Sequence, residues 1–308
     1  MLRSYTPAMQ GRPGRHGGRK RALGLFGALT VATAVMSWPT PVEQPFDSGV
    51  AMKAAAVPTP AHVVIVVEEN RSQSNIIGNK AAPFINQLAA GGAMMSQSFA
   101  EAHPSEPNYY ALFAGNTLVK DNVCPVNAGN EPNLGSQLLG SGYSFVGFAE
   151  SLPAPGSQDC RAGKYARKHV PWASFTNIPA SRSLPFTEFP APANYAGLPT
   201  VSMVIPNLDN DMHDGSIARG DQWLYQNLSQ YASWARANDS LLILTWDEDD
   251  NTSRNQIPTV IYGAGVRPGI YDQPISHYNV LSTLEQMYGL PKLGYATRAP
   301  AITGIWGA

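Results

Sequence analysis

The sequence predicts an α/β fold, a mostly parallel central sheet flanked by helices on both faces, in one domain behind an N-terminal targeting segment. Three observations predict it. Short aliphatic runs alternate along the chain with stretches whose apolar residues recur at helical spacing. The first run, Val63-Val64-Ile65-Val66-Val67, is apolar on both of its faces, as a strand buried from two sides must be. Acids, amides, histidines and a serine follow these runs, which is the arrangement of an open α/β sheet with its site outside the carboxyl ends of the strands.

Each element has its own reason. After the strand at 63–67, Phe84, Ile85, Leu88 and Ala89 lie on one helical stripe that Gly91-Gly92 ends. A second strand is expected at 94–99 and a short helix at 109–113, closed by Gly115. Residues 134–139 read as a helix stopped by Gly140, and 143–148 as a third strand. Residues 150–198 are proline-rich and poorly periodic, a long surface excursion of the kind that serves a site. A strand at 201–205 precedes a long helix at 217–237, striped by Trp223, Leu224, Leu228, Tyr231 and Trp234. Strands at 241–246 and 259–262 and a helix at 278–288, stopped by Gly289, complete the order.

With 308 residues, 44% of them hydrophobic and 14% charged, the chain can bury a sizeable core. Residues 1–56 stand apart. Arg3, Arg12, Arg15, Arg19, Lys20 and Arg21 precede an apolar run at 22–38 and a spacer, the layout of a secretory signal. Cleavage near Ala34 or within Ala54-Ala55-Ala56 gives a secreted or extracytoplasmic protein, and an uncleaved segment gives a membrane-associated one. Residues 57–308 form the expected catalytic domain. They hold six more acids than bases, which excludes an electrostatic footprint for nucleic acid. An oxidising compartment favours a disulfide between Cys124 and Cys160, whose spacing does not suit a structural zinc site.

The chemistry gathers at strand ends. Glu68-Glu69-Asn70, then His103 and Ser105, then the run from Asn207 to Asp214, then Asp247-Glu248-Asp249-Asp250 each follow a strand. Carboxylates that converge without basic partners need a cation. Glu69, Asn70, Asp247 and Glu248 offer oxygen ligands suited to a divalent metal ion. Ser105, between Pro104 and Pro107, sits on a stiff turn before a helix. Such a turn presents a nucleophile, although a serine there is also an ordinary helix cap. His213 and His277 can bind phosphate or protonate a leaving group. His169 beside Trp172 either packs within the excursion or reaches the site. His62 begins a strand and reads as structural.

Five segments in order carry a resemblance. They are Val66-Val67-Glu68-Glu69-Asn70-Arg71-Ser72, His103-Pro104-Ser105-Glu106-Pro107-Asn108-Tyr109, Pro206-Asn207 through Asn210-Asp211-Met212-His213-Asp214, Thr245-Trp246-Asp247-Glu248, and Ile257-Pro258-Thr259 through His277-Tyr278. On them the chain resembles, over residues 62–296, the bacterial phosphoesterase family of secreted acid phosphatases and phosphatidylcholine-type phospholipases C, within the alkaline phosphatase-like superfamily. The resemblance implies a metal held by Glu69, Asn70, Asp247 and Glu248. It implies Ser105 as nucleophile, Asn108 steadying the phosphoryl oxygens, and His213 and His277 at the phosphate or as acid. His103, His169 and Asp214 join Asn108 as candidate substrate-binding residues. Asp249-Asp250-Asn251 stands where the phospholipase branch carries a glycine pair, and Arg71-Ser72-Gln73-Ser74 lacks that branch's aromatic-Asp pair.

These departures favour an exported, metal-dependent acid phosphatase that cleaves a phosphate ester through a phosphoserine. The alternatives are a phospholipase C or phosphodiesterase, and a secreted binding protein with a purely structural ion. The hydroxyl of Ser105 separates the last from the others, because a structural ion site has no use for a nucleophile.

Overall fold

A computed structural model describes residues 56–307. The targeting segment expected at 1–56 falls outside them, save Ala56. Eight strands form the main sheet: β1 (His62–Glu68), β2 (Ala93–Met95), β3 (Phe145–Ala149), β4 (Ser183–Pro185), β5 (Val201–Ile205), β6 (Ser240–Trp246), β7 (Thr259–Gly263) and β8 (Gly269–Tyr271). Their spatial order is β8-β2-β7-β6-β1-β5-β3-β4. β7 runs antiparallel to both its neighbours, and every other pairing in this sheet is parallel.

The continuous apolar run of β1 is explained by what covers it. Val63, Ile65 and Val67 face one core with α2 (Glu106–Ala114), α3 (Leu134–Gly140) and α5 (His277–Met287). Val64 and Val66 face a second core with α1 (Pro83–Gly91) and α4 (Ile217–Ala237). Strand side chains alternate between faces, so an unbroken apolar strand needs helices on both. Burying each such side chain stabilises the fold by about 1.5–3 kcal/mol.

Three departures from the expected elements have local reasons. The stretch at 94–99 splits into β2 and a two-residue strand, Ser98–Phe99, which pairs outside the main sheet with Ile275–Ser276. α2 starts at Glu106, earlier than the apolar spacing suggests, because Pro107 in the first turn gives up an N–H that turn does not use. The excursion at 150–198 is ordered by short 3₁₀ turns and contributes β4 to the sheet edge. Trp172 anchors it: the indole lies on Gly147 of β3, where an added Cβ would stand 2.1 Å from the ring, and Nε1 donates to Ser183 Oγ at 2.9 Å. A disulfide between Cys124 and Cys160 ties the excursion to the segment that follows α2.

Candidate active site

The three central parallel strands deliver the site. β1 lies between β6 and β5, and the hydrogen-bond ladder continues past their ends. Asp247 N–H donates to the Glu68 carbonyl at 3.0 Å and Glu69 N–H to the Asp211 carbonyl at 2.8 Å. This register places Glu69, Asp247, Glu248 and Asp211 side by side, all of them buried. Asn70 turns the chain with a left-handed φ of 47°, which its short amide tolerates, and its N–H reaches Asp247 Oδ1 at 3.2 Å.

Ser105 precedes the first turn of α2, yet its side chain does not cap that helix. Its hydroxyl lies 2.9 Å from Glu248 Oε1 and 3.1 Å from Glu69 Oε2, in donor geometry to both. Tyr109, one turn on, donates to Glu69 Oε1 at 2.5 Å. Burial holds the Tyr109 phenol far above its ordinary pKa, so it remains a donor.

The excursion brings in His169, which stacks on Tyr109 with centroids 5.1 Å apart. Its Nε2 lies 3.0 Å from Glu69 Oε1 and its Nδ1 lies 3.6 Å from Asp211 Oδ2. Ligand atoms of Glu69, His169 and Asp211 all lie within 4.8 Å of one another. Asp211 and His169 thus join a group in which the sequence assigned ligands only to Glu69, Asn70, Asp247 and Glu248. Burial, then the neighbouring Glu69 charge, drive Asp211 and Asp247 well above the carboxylate range, and burial drives His169 well below the imidazole range.

These residues fit a metal ion. Asn70 Oδ1, His169 Nε2, Asp211 Oδ2 and Asp247 Oδ2 are buried without a hydrogen-bond partner. Orphaned polar atoms in a dry site are costly, and His169 Nε2 faces Glu69 Oε1 at 3.0 Å. A cation held by Glu69, His169 and Asp211 would relieve the orphaned atoms of His169 and Asp211, and the mixed oxygen and imidazole set suits a borderline divalent ion.

The remaining candidates take other places. His103 Nδ1 pairs with Glu248 Oε2 and its Nε2 lies 3.1 Å from the Thr252 carbonyl, so it orients Glu248. Asn108 is not free for a phosphoryl oxygen. Its Oδ1 accepts from Glu101 and Ala102 N–H at 3.0 and 2.9 Å, and its Nδ2 donates to the Ala102 carbonyl at 2.8 Å. The amide braces the turn that carries Ser105. His277 is buried and spent as well, 2.5 Å from Glu101 Oε2 and 2.8 Å from the Trp246 carbonyl. Burial pulls its pKa down, but the Glu101 carboxylate and these hydrogen bonds outweigh that and leave it raised. His213 is about one-third exposed, 2.8 Å from Asp214 Oδ1, with its ring 6.2 Å from that of His169. Asp214 also pairs with Lys164 at 3.0 Å.

Sequence reasoning assigned no role to Asp211, Tyr109, Glu101 or Glu68. Asp211 lies in a polar run with Asp209, Asn210 and Asp214, and only its complete burial sets it apart. The left-handed φ of 77° at buried Met212 marks the same place as strained. Glu68 is buried with neither oxygen paired, and burial followed by the nearby Asp211 charge raises its pKa well above the carboxylate range.

The model of the Phosphoesterase family matches residues 79–291. The chain is 68% identical to a phosphatidylinositol-3-phosphatase of Mycobacterium tuberculosis, over 93% of this chain and 94% of that one. It is 30% identical to an acid phosphatase of Aspergillus fumigatus over 67% of this chain, and spans about half, 51%, of that longer protein. Its fold is similar to that of a protein in the alkaline phosphatase superfamily from Vibrio parahaemolyticus, with a TM-score of 0.58 at 14% identity, covering 81% of this chain and 72% of the other. The chain belongs to the Phosphoesterase family and is a hydrolase of phosphate esters.

Proposed function

We propose that the protein is an exported, metal-dependent phosphomonoesterase that works through a phosphoserine at Ser105. The observation that carries this reading is the Ser105 hydroxyl, which addresses Glu248 and Glu69 instead of its own helix. A metal held by Glu69, His169 and Asp211, with Asn70, Asp247 and Glu248 beside it, would neutralise charge on the phosphoryl oxygens and sharpen the serine nucleophile. Ser105 Oγ bonds to phosphorus as the bond to the departing oxygen breaks, and its proton passes to Glu248 or Glu69. His213 is exposed at the rim and steadied by Asp214, and it hands a proton to the departing oxygen. A water then attacks the phosphoserine and releases phosphate and the free hydroxyl.

A relative at 68% identity named for phosphatidylinositol 3-phosphate makes that monoester the leading substrate. The basic and apolar start of the chain supports export. Among the described residues no helix is long and apolar enough to cross a membrane.

Parallel assays of a chromogenic monoester, a diester, phosphatidylcholine and phosphatidylinositol 3-phosphate, with and without chelator, test the reading. Monoester turnover is expected to stop on chelation and to fall by at least about 10³-fold in Ser105→Ala. Retained turnover in either case contradicts the mechanism. Cleavage of phosphatidylcholine or the diester without the monoesters would move the protein to the phospholipase branch.

A further inference from the structure

A larger cavity, about 710 Å³ around Phe186, Phe189 and Trp223, touches none of the carboxylates near Ser105. A smaller one, about 340 Å³, meets the site at His213 and Lys168. Its lining combines an apolar part, the Cys124–Cys160 disulfide and Leu208, with the basic side chains of Arg161 and Lys168. Neither cation has a side-chain hydrogen bond or ion pair among the described residues. The basic residues around them are all engaged: Lys164 with Asp209 and Asp214, Arg219 with Asp209, and Arg167 with the Gln158 and Ala173 carbonyls. Lys168 lies near enough for its charge to act on Glu69 and Asp211, and that of Arg161 acts on His169. Two unpaired cations in a cavity that adjoins the reaction centre await an anion, and a guanidinium matches phosphate oxygens in paired fashion.

We propose that this cavity is a subsite for a second phosphate of the same substrate. It rests on the phosphomonoesterase reading above. Arg161 and Lys168 bind a further phosphate, monoester or diester, while the disulfide and Leu208 cover the less polar body between the two groups. The subsite selects esters that carry two phosphates over simple monoesters.

The test uses the full metal-loaded chain and Arg161→Gln, a change at an exposed position. Values of kcat/KM are measured on 4-nitrophenyl phosphate, inositol 1,3-bisphosphate and dioctanoyl phosphatidylinositol 3-phosphate. Arg161→Gln is expected to lower the ratio of either two-phosphate substrate to the aryl phosphate by about tenfold or more. Loss with both identifies the shared second phosphate, and loss with the lipid alone assigns the subsite to a lipid phosphodiester. Glycerophosphoinositol, a diester with no monoester to cleave, serves as a binding probe. It is expected to compete with the aryl phosphate, with an inhibition constant about tenfold higher in Arg161→Gln. Unchanged ratios and unchanged inhibition overturn the subsite while leaving the phosphomonoesterase reading intact. Failure of the parent protein to hydrolyse the aryl phosphate overturns both.

Discussion

Asp211 shares a buried pocket with Glu69 and His169, and its Oδ2 has no hydrogen-bond partner. An acid in that position is a ligand or a liability. Asp211→Asn keeps the shape and removes the charge, so metal affinity is expected to fall by about 10–100-fold. Titration of the metal-free protein measures it, and an unchanged affinity would remove Asp211 from the ion site. Glu69, Ser105 and Glu248 were legible as candidates in the sequence, because each lies shortly after a strand-like run and polar groups there have one place to converge. It did not single out Asp211, because the run from Asn207 to Asp214 holds several equivalent acids and only folding shows which is enclosed. Nor did it show that Asn108 braces the Ser105 turn or that His277 is spent on Glu101 and Trp246. An amide that holds a loop and one that holds a phosphate are the same residue until their partners are known.

At the scale of the element, α5 carries a charge whose cost can be read from pH. Glu285 is fully buried and accepts from Leu293 N–H at 2.8 Å, with Lys292 Nζ 3.9 Å away. Burial pushes its carboxyl up to about 7, against the opposing pull of that N–H and of Lys292. Between the ordinary carboxylate value and about 7 the folded chain holds a proton that the unfolded chain has lost, so stability falls as pH rises through that window. Glu285→Gln keeps an acceptor for Leu293 and cannot ionise. Its Tm is expected to exceed that of the parent by about 2–4 °C at pH 8 and to match it near pH 5. A gain no larger at pH 8 than at pH 5 would show that burial does not perturb this group. Elements were legible where pattern was strong. The unbroken run of β1 and the stripe of α4 follow from apolar spacing alone. The edge strands β4 and β8 were not visible, because three residues containing Pro185 or Gly269 have neither length nor alternation. They exist because the sheet edge offers them partners.

At the scale of the molecule, a sheet covered on both faces leaves its strand ends as the place where buried polar groups can meet solvent and substrate. The ladder that joins Asp247 to Glu68 and Glu69 to Asp211 carries the order of the sheet into the site. That same order sets Ser105 against two carboxylates, and the proposed reaction requires its oxygen to form a bond to phosphorus. The stereochemical course at phosphorus tests this most directly, since it does not require the intermediate to accumulate. With a phosphate monoester made chiral by oxygen isotopes, two successive in-line displacements through Ser105 predict overall retention of configuration. Overall inversion would mean that water attacks the ester directly and would contradict a phosphoserine at Ser105.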